Sequence, residues 1–214
     1  MKDVNKTLSS DGPAIKRWRW YHGVLLFGAV NVAGGILSSL IKKSVGNNGI
    51  SPIEALTSSD DNKNYYLSLR QPVFSPPSAV FPVVWAMNNA LVIRGILRVL
   101  NKPLDTPGRA RYLSLQAASL TDFVVFNAAF FGVRSPLNAA LLTAIYLGLT
   151  IESGRVAIVE LKDEKVALSL ATLLPWLLLA APTSAAIALW NQDDFYKLKP
   201  GIEPSSKWEK SVNN

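Results

Sequence analysis

The residues of this chain best able to do chemistry lie inside apolar stretches. Asp122 stands near the centre of an apolar run over residues 113–133, while Asn88, Asn89 and Arg94 fall within another over 79–100. A carboxylate at the middle of a bilayer costs about 2.5 to 3.5 kcal/mol on insertion scales, so Asp122 is expected to face a bundle interior. The rings of Phe81, Trp85, Phe126 and Trp176 lie in similar surroundings. Such faces can stack on a flat apolar ligand, with Asn88 and Asp122 as the polar groups that orient it. Arg70, at the edge of the second run, could hold a ligand carboxylate by charge-assisted hydrogen bonds. Enzyme constellations are missing. His22 is the one histidine and there is no cysteine; at the basic end of the first apolar run, His22 reads as an interface residue ahead of a haem ligand. No nucleophile–base set, phosphate loop or pair of carboxylates at a working distance is recognisable, and no cofactor is required.

These groups are organised by the stretch 70–89. Pro72, Pro76 and Pro77 fix φ and push their predecessors out of the α region, so residues 70–78 are expected to be extended. Ser78 is the expected N-cap of the following helix, with Pro82 tolerated in its first turn. The result is a rigid lip, carrying Phe74, in front of a helix entrance lined by Phe81 and Trp85.

Composition identifies the medium. Of 214 residues 49% are hydrophobic and 17% charged, with mean hydropathy +0.21, against about 25% charged in soluble domains. That is a membrane balance. The formal charge of +7 is spread over short segments between apolar runs, which argues against a nucleic-acid partner and for orientation in a lipid bilayer. Five spans are expected, at residues 23–41, 79–100, 113–133, from 137 through 151, and 166–190. An all-α bundle of five transmembrane helices follows, with a long loop between the first two. Residues 1–15 are expected to form a disordered segment, 16–192 the membrane domain and 193–214 a polar tail.

Within this frame, Trp18, Trp20 and Tyr21 among Lys16, Arg17 and Arg19 form an interfacial anchor. Gly28, Ala29, Ala33, Gly34, Gly35 and Ser38 offer a small-residue face, with Asn31 available for an interhelical hydrogen bond. The connection over 45–69 contains Ser51-Pro52-Ile53-Glu54, a capping box that predicts a short helix over 51–57, and it reads as a cover over a pocket. Phe123, Phe126, Phe130 and Phe131 recur at helical spacing, as packing or lipid contact in the first place and as pocket lining in the second. Ala128 and Gly132 suit a helix neighbour or a dimer partner. Arg94 and Arg98 are expected to snorkel, and Glu152 and Arg155 to pair locally. Pro175 and Pro182 predict a kinked fifth helix. Basic residues near the helix ends place the amino terminus in the cytosol.

The segment Pro72 to Trp85, with spacing Pro-x-Phe-x-Pro-Pro-x-x-Val-Phe-Pro-x-x-Trp, Gly34-Gly35 in the first span, Phe130-Phe131-Gly132-Val133-Arg134 closing the third, and Leu174-Pro175-Trp176-Leu177-Leu178 in the fifth resemble the TspO/MBR family. These are the tryptophan-rich sensory proteins and the translocator protein, or peripheral-type benzodiazepine receptor. The resemblance covers residues 21–192. It implies a five-helix bundle, often a homodimer, with a pocket beneath the first inter-helix loop. Implied ligands are tetrapyrroles such as protoporphyrin IX, haem or its precursors, sterols and benzodiazepine-type compounds. Trp85 matches the pocket tryptophan of the second helix, and Pro76, Pro77 and Phe81 match the motif around it. The family's Asn and Trp of the third helix are replaced by Phe123 and Phe126, and its Tyr and Trp of the fifth by Trp176 and Leu179. The sterol pattern known from animal members needs a Leu or Val shortly before a Tyr; Tyr196 has none within five positions, so that pattern is not met at Tyr196.

The leading expectation is therefore a membrane protein that binds tetrapyrroles for porphyrin handling, stress response or signalling. A transporter of small hydrophobic or amphipathic solutes is one alternative, raised by Asn88, Arg94 and Asp122 within spans; no inverted repeat supports it. Light-dependent porphyrin breakdown, reported for some family members, is the other, with Trp85 and Trp176 as redox partners.

Overall fold

A computed structural model describes residues 17–44 and 59–210. In chain order it contains α1 (Trp20–Ser44), α2 (Ser59–Ser68), α3 (Val80–Leu100), α4 (Arg109–Asn127) running into a π-helical turn (Ala128–Gly132), α5 (Pro136–Val159), α6 (Glu164–Leu168) and α7 (Leu173–Trp190). Among the described residues five helices are long and apolar enough to cross a membrane: Trp20–Ile41, Val80–Leu100, Arg109–Gly132, Pro136–Val159 and Leu173–Trp190. Their outer faces expose Leu25, Val83, Leu141, Ile145, Ile158 and Leu178. Apolar side chains on that scale suit hydrocarbon, and they complete the case for a multi-pass membrane protein.

α5 packs along α7 and α4, and α1 lies across α4, its π turn and α3. Gly132 sits against Ile41 and the Ser38 carbonyl, so the small pair Ala128 and Gly132 serves a neighbour within the chain. The small face of α1 is used in part. Gly34 approaches Val124 and Asn127, whereas a Cβ on Gly28 would meet no described residue beyond its own helix backbone within 4 Å.

Several expectations change. Ser78 does not cap α3. The helix is entered through tight turns, Val80 N–H to the Pro77 carbonyl (3.0 Å) and Phe81 N–H to the Ser78 carbonyl (3.3 Å), with Ala79 at the N-cap and no side-chain bond to it. The expected helix over 51–57 lies outside the described residues, but α2 follows it, where only a polar connection was expected. The fifth span is shorter than 166–190. Asp163 caps α6 by accepting from Lys165 N–H and Val166 N–H, then bonds from Ser169, Leu170 and Ala171 back to Val166, Ala167 and Leu168 tighten and end that turn before α7 begins. Gly95 explains the close fit there, because a Cβ on it would collide with the Ser169 side chain and lie 3.1 Å from the Tyr112 hydroxyl. α7 continues through Pro182, and the Thr183 hydroxyl donates to the Leu179 carbonyl (2.8 Å).

The end of the bundle around this turn is densely packed, with Val99, Tyr112, Val156 and Val166 fully buried. Asp163, 6% exposed, accepts from Arg98 Nε (2.8 Å) and Lys102 Nζ (2.7 Å). Arg98 therefore pairs across helices instead of only reaching for the interface. Glu152 and Arg155 pair as expected (2.8 Å), joined by Arg111 and Glu160. Gly108 has φ 75, and a Cβ there would lie 2.6 Å from that of Glu160. Only glycine enters α4 this way without strain.

Candidate functional site

At the opposite end the helices enclose a cavity of about 550 Å³, within the range of small-molecule sites. α3 contributes Phe81 and Trp85, and α4 contributes Asp122, Phe123, Phe126 and Asn127. The π turn adds Phe130 and Phe131, α5 adds Ala139, Thr143 and Tyr146, and α7 adds Trp176, Leu177, Thr183 and Ile187. Asn31 of α1 reaches the wall, and Asn62, Lys63 and Tyr66 of α2 with Pro76 and Ser78 of the lip form the upper rim.

The aromatic wall is a connected set. Trp85 stacks on Tyr146 at 6.1 Å between centroids and 7° between planes, meets Phe123 at 5.2 Å, and lies 6.4 Å from Trp176 in an edge contact. Phe81 bridges Trp176 (5.4 Å) and Tyr66 (5.2 Å). The π turn has a local cause and a consequence: Val133 N–H bonds the Ala128 carbonyl at 3.0 Å, and the extra residue in the turn turns both Phe130 and Phe131 to the cavity. All four phenylalanines of α4 and its turn thus line it, the reading placed second from the sequence.

α2 is held over the opening. The Tyr66 hydroxyl donates to the Pro76 carbonyl (3.2 Å), Tyr65 packs edge-on to Phe130 (5.4 Å), and Arg134 lies over the Tyr65 ring (5.4 Å). Burial raises the Tyr65 and Tyr66 phenols above their ordinary range, so both stay neutral donors at neutral pH.

Of the residues singled out from sequence, Pro76, Phe81, Trp85, Asp122, Phe126 and Trp176 converge on the cavity, while Arg70, Phe74, Pro77 and Asn88 do not line it. Phe74 and Pro77 point outward from the lip. Asn88 is 1% exposed and both of its amide atoms lack a partner among the described residues. Arg70 has a different task. Its Nε and Nη2 donate to Glu209 (2.7 and 3.1 Å) and its Nη1 to Glu203 (2.7 Å), bonds that raise its pKa and lower that of Glu209. Backbone bonds from Val73 N–H to the Trp208 carbonyl (2.9 Å) and from Lys210 N–H to the Gln71 carbonyl (2.7 Å) clamp the segment read as a polar tail onto the lip. Asp193, 3% exposed, fastens the start of that segment by accepting from Ser135 (2.7 Å), Leu137 N–H and Tyr196 N–H. Burial by itself would raise its pKa, but the Tyr196, Ser135 and Leu137 bonds lower it.

Sequence reasoning missed Lys63, Tyr66, Thr143 and Tyr146. The two tyrosines stand in unlike contexts, a polar connection and an apolar helix, and only their shared inward facing unites them. Asn31, expected between helices, donates to the Phe27 carbonyl of its own helix (2.7 Å). His22 lies apart from the cavity, accepting from Arg19 N–H (2.9 Å) beside Trp18 and Tyr21. Among the described residues no group of three or more His, Asp or Glu side chains could hold a metal.

No curated protein matches the sequence. The model of the TspO/MBR family matches residues 27–190, from within α1 to the end of α7. With five spanning helices and a pocket beneath the first inter-helix connection, the chain belongs to the TspO/MBR family.

Proposed function

We propose that this membrane protein binds flat, apolar tetrapyrroles, porphyrins or haem precursors, in the aromatic cavity, and serves porphyrin handling, stress response or signalling. The observation that carries the reading is the continuous aromatic wall from Phe81 through Trp85 to Tyr146 and Phe123 around about 550 Å³. A macrocycle presents two π faces and buries most of its area against such rings. Its carboxylates would lie at the rim, where Lys63 is exposed on α2; Arg70 is committed to Glu203 and Glu209.

The test is a tryptophan-fluorescence titration with protoporphyrin IX in dim light. Saturable quenching is expected, weakened about 2- to 10-fold in Trp85→Phe, since an aromatic pair contributes about 0.5 to 1.5 kcal/mol beyond area burial. Unchanged affinity in that variant would remove the cavity from the reading. Light-dependent breakdown of the bound macrocycle is a second reading, favoured by two indoles, Trp85 and Trp176, on the same wall. Illumination with product analysis, against dark and anaerobic controls, separates it from bleaching.

A further inference from the structure

Among the described residues Asp122 is the one carboxylate lining the cavity, and it is 7% exposed. Its Oδ2 has no hydrogen-bond partner among the described residues, and none of them forms an ion pair with it. Four of the polar side chains that line the cavity with it are already occupied. Asn31 and Asn127 donate to the Phe27 and Phe123 carbonyls (2.7 and 3.2 Å). Thr143 and Thr183 donate to the Ala139 and Leu179 carbonyls (2.7 and 2.8 Å). The cavity thus presents a carboxylate without a bonded partner, while these amide and hydroxyl donors are turned back onto their own helices and the Trp176 indole N–H is left as a lining donor with no partner among the described residues. Lys63 is the lining cation, and it belongs to the exposed rim.

A carboxylate in apolar surroundings is stable only with a proton or a cation beside it. What surrounds Asp122 is suited to the second. Phe123 follows it in the chain and packs on Trp85 (5.2 Å), which stacks on Tyr146 (6.1 Å). Ring faces attract cations through their quadrupole, and aromatic cages are a recurrent means of recognising alkylated ammonium groups. An apolar ligand body could then fill the rest of the cavity against Phe81, Phe126 and Phe130.

We infer that the cavity selects hydrophobic ligands bearing an alkylammonium group, with the nitrogen paired to Asp122 and flanked by Trp85, Phe123 and Tyr146. The inference rests on the cavity being the ligand site, and it does not require that tetrapyrroles occupy it.

The experiment is calorimetric titration of the full chain, in nanodiscs of zwitterionic lipid, with (2-naphthylmethyl)trimethylammonium and with its uncharged carbon isostere, neopentylnaphthalene. The wild type is expected to bind the cation about tenfold more tightly than the isostere, the size of one cation–π contact with a desolvated counter-charge. In Asp122→Asn the two affinities should converge, with folding of the variant read separately from its circular dichroism. Equal affinities in the wild type, or a preference that survives Asp122→Asn, overturns the inference. Should Asp122→Asn not fold, the wild-type comparison of the two probes still decides. Binding of protoporphyrin IX without a preference for the cation removes the inference alone; failure of protoporphyrin IX and both probes to bind removes the cavity and the inference together.

Discussion

Asp163→Asn isolates one charge in the densely packed half of the bundle. Asn remains a good N-cap, so the bonds from Lys165 N–H and Val166 N–H to position 163 are kept, while the charge and the Oδ2 acceptor of Arg98 and Lys102 are lost. Burial alone would raise the Asp163 pKa, yet hydrogen bonds from Lys102 and Arg98 hold it at about 2, against an ordinary 3.8. Each pKa unit corresponds to about 1.4 kcal/mol, which makes the undiscounted contribution about 2.4 kcal/mol. Arg98 is half in water, its side chain 46% exposed, so screening reduces this to about 1 to 2 kcal/mol.

Because the folded-state pKa is the lower one, this contribution is fully present above the unfolded pKa and is lost as pH falls through the folded value. The window runs from about pH 5 down to about pH 2. At pH 7 Asp163→Asn should melt about 2 to 8 °C below the wild type, by the scaling for chains of this size. By pH 2 the two should nearly coincide. The assay is near-ultraviolet circular dichroism against temperature in a neutral detergent. Other carboxylates, Asp193 among them, titrate in the same direction in both proteins, so the difference between the curves reports Asp163. A constant difference across the window, or none at pH 7, would refute the assignment of the charge to stability.

Gly95→Ala should destabilise by about 1 to 3 kcal/mol through overpacking against Ser169 and Tyr112, and Ser169→Gly should recover part of the loss in the double variant, read by the same melts. Arg70→Ala should free the carboxy-terminal segment from the lip: limited proteolysis after residue 190 should become faster while the melting of the bundle changes little, and an unaltered cleavage pattern would show that the backbone bonds of Val73 and Lys210 suffice.

The helices were legible because hydrocarbon imposes a strong pattern: long apolar runs broken by basic turns and prolines leave few alternatives. Asp122 and Trp85 were legible for related reasons, one as a costly charge, the other through its place after the proline lip. Arg70 was misread because a cation beside a pocket does not reveal its own partner, and Glu203 and Glu209 are more than 130 positions away in sequence. Ser78 has the chemistry of a cap, but the prolines before it leave the chain in tight turns that begin α3 one step later. The break between α6 and α7 is packed against Gly95, where a Cβ would collide with Ser169, a contact between distant helices that no local propensity encodes.

The two ends of the bundle divide the work. Around Asp163, glycines at 95 and 108 permit contacts that larger residues would block, and ion pairs tie α3 to the turn before α6. Around Asp122 the helices separate, rings replace close backbone contact, and hydroxyls bond their own helices. A uniformly tight bundle would have no site, and a uniformly open one would not hold Trp85 and Trp176 in register. The carboxy-terminal segment joins this division, since Arg70 and Asp193 fasten it to the lip and to the start of α5, the two places where a rim above the cavity would otherwise be free to part. Ligand access is therefore expected to respond to Arg70→Ala through faster association and dissociation with little change in Kd, because the latch touches the rim and not the wall. Stopped-flow quenching with protoporphyrin IX checks this, and a change confined to Kd with unaltered dissociation would place the latch within the binding surface itself.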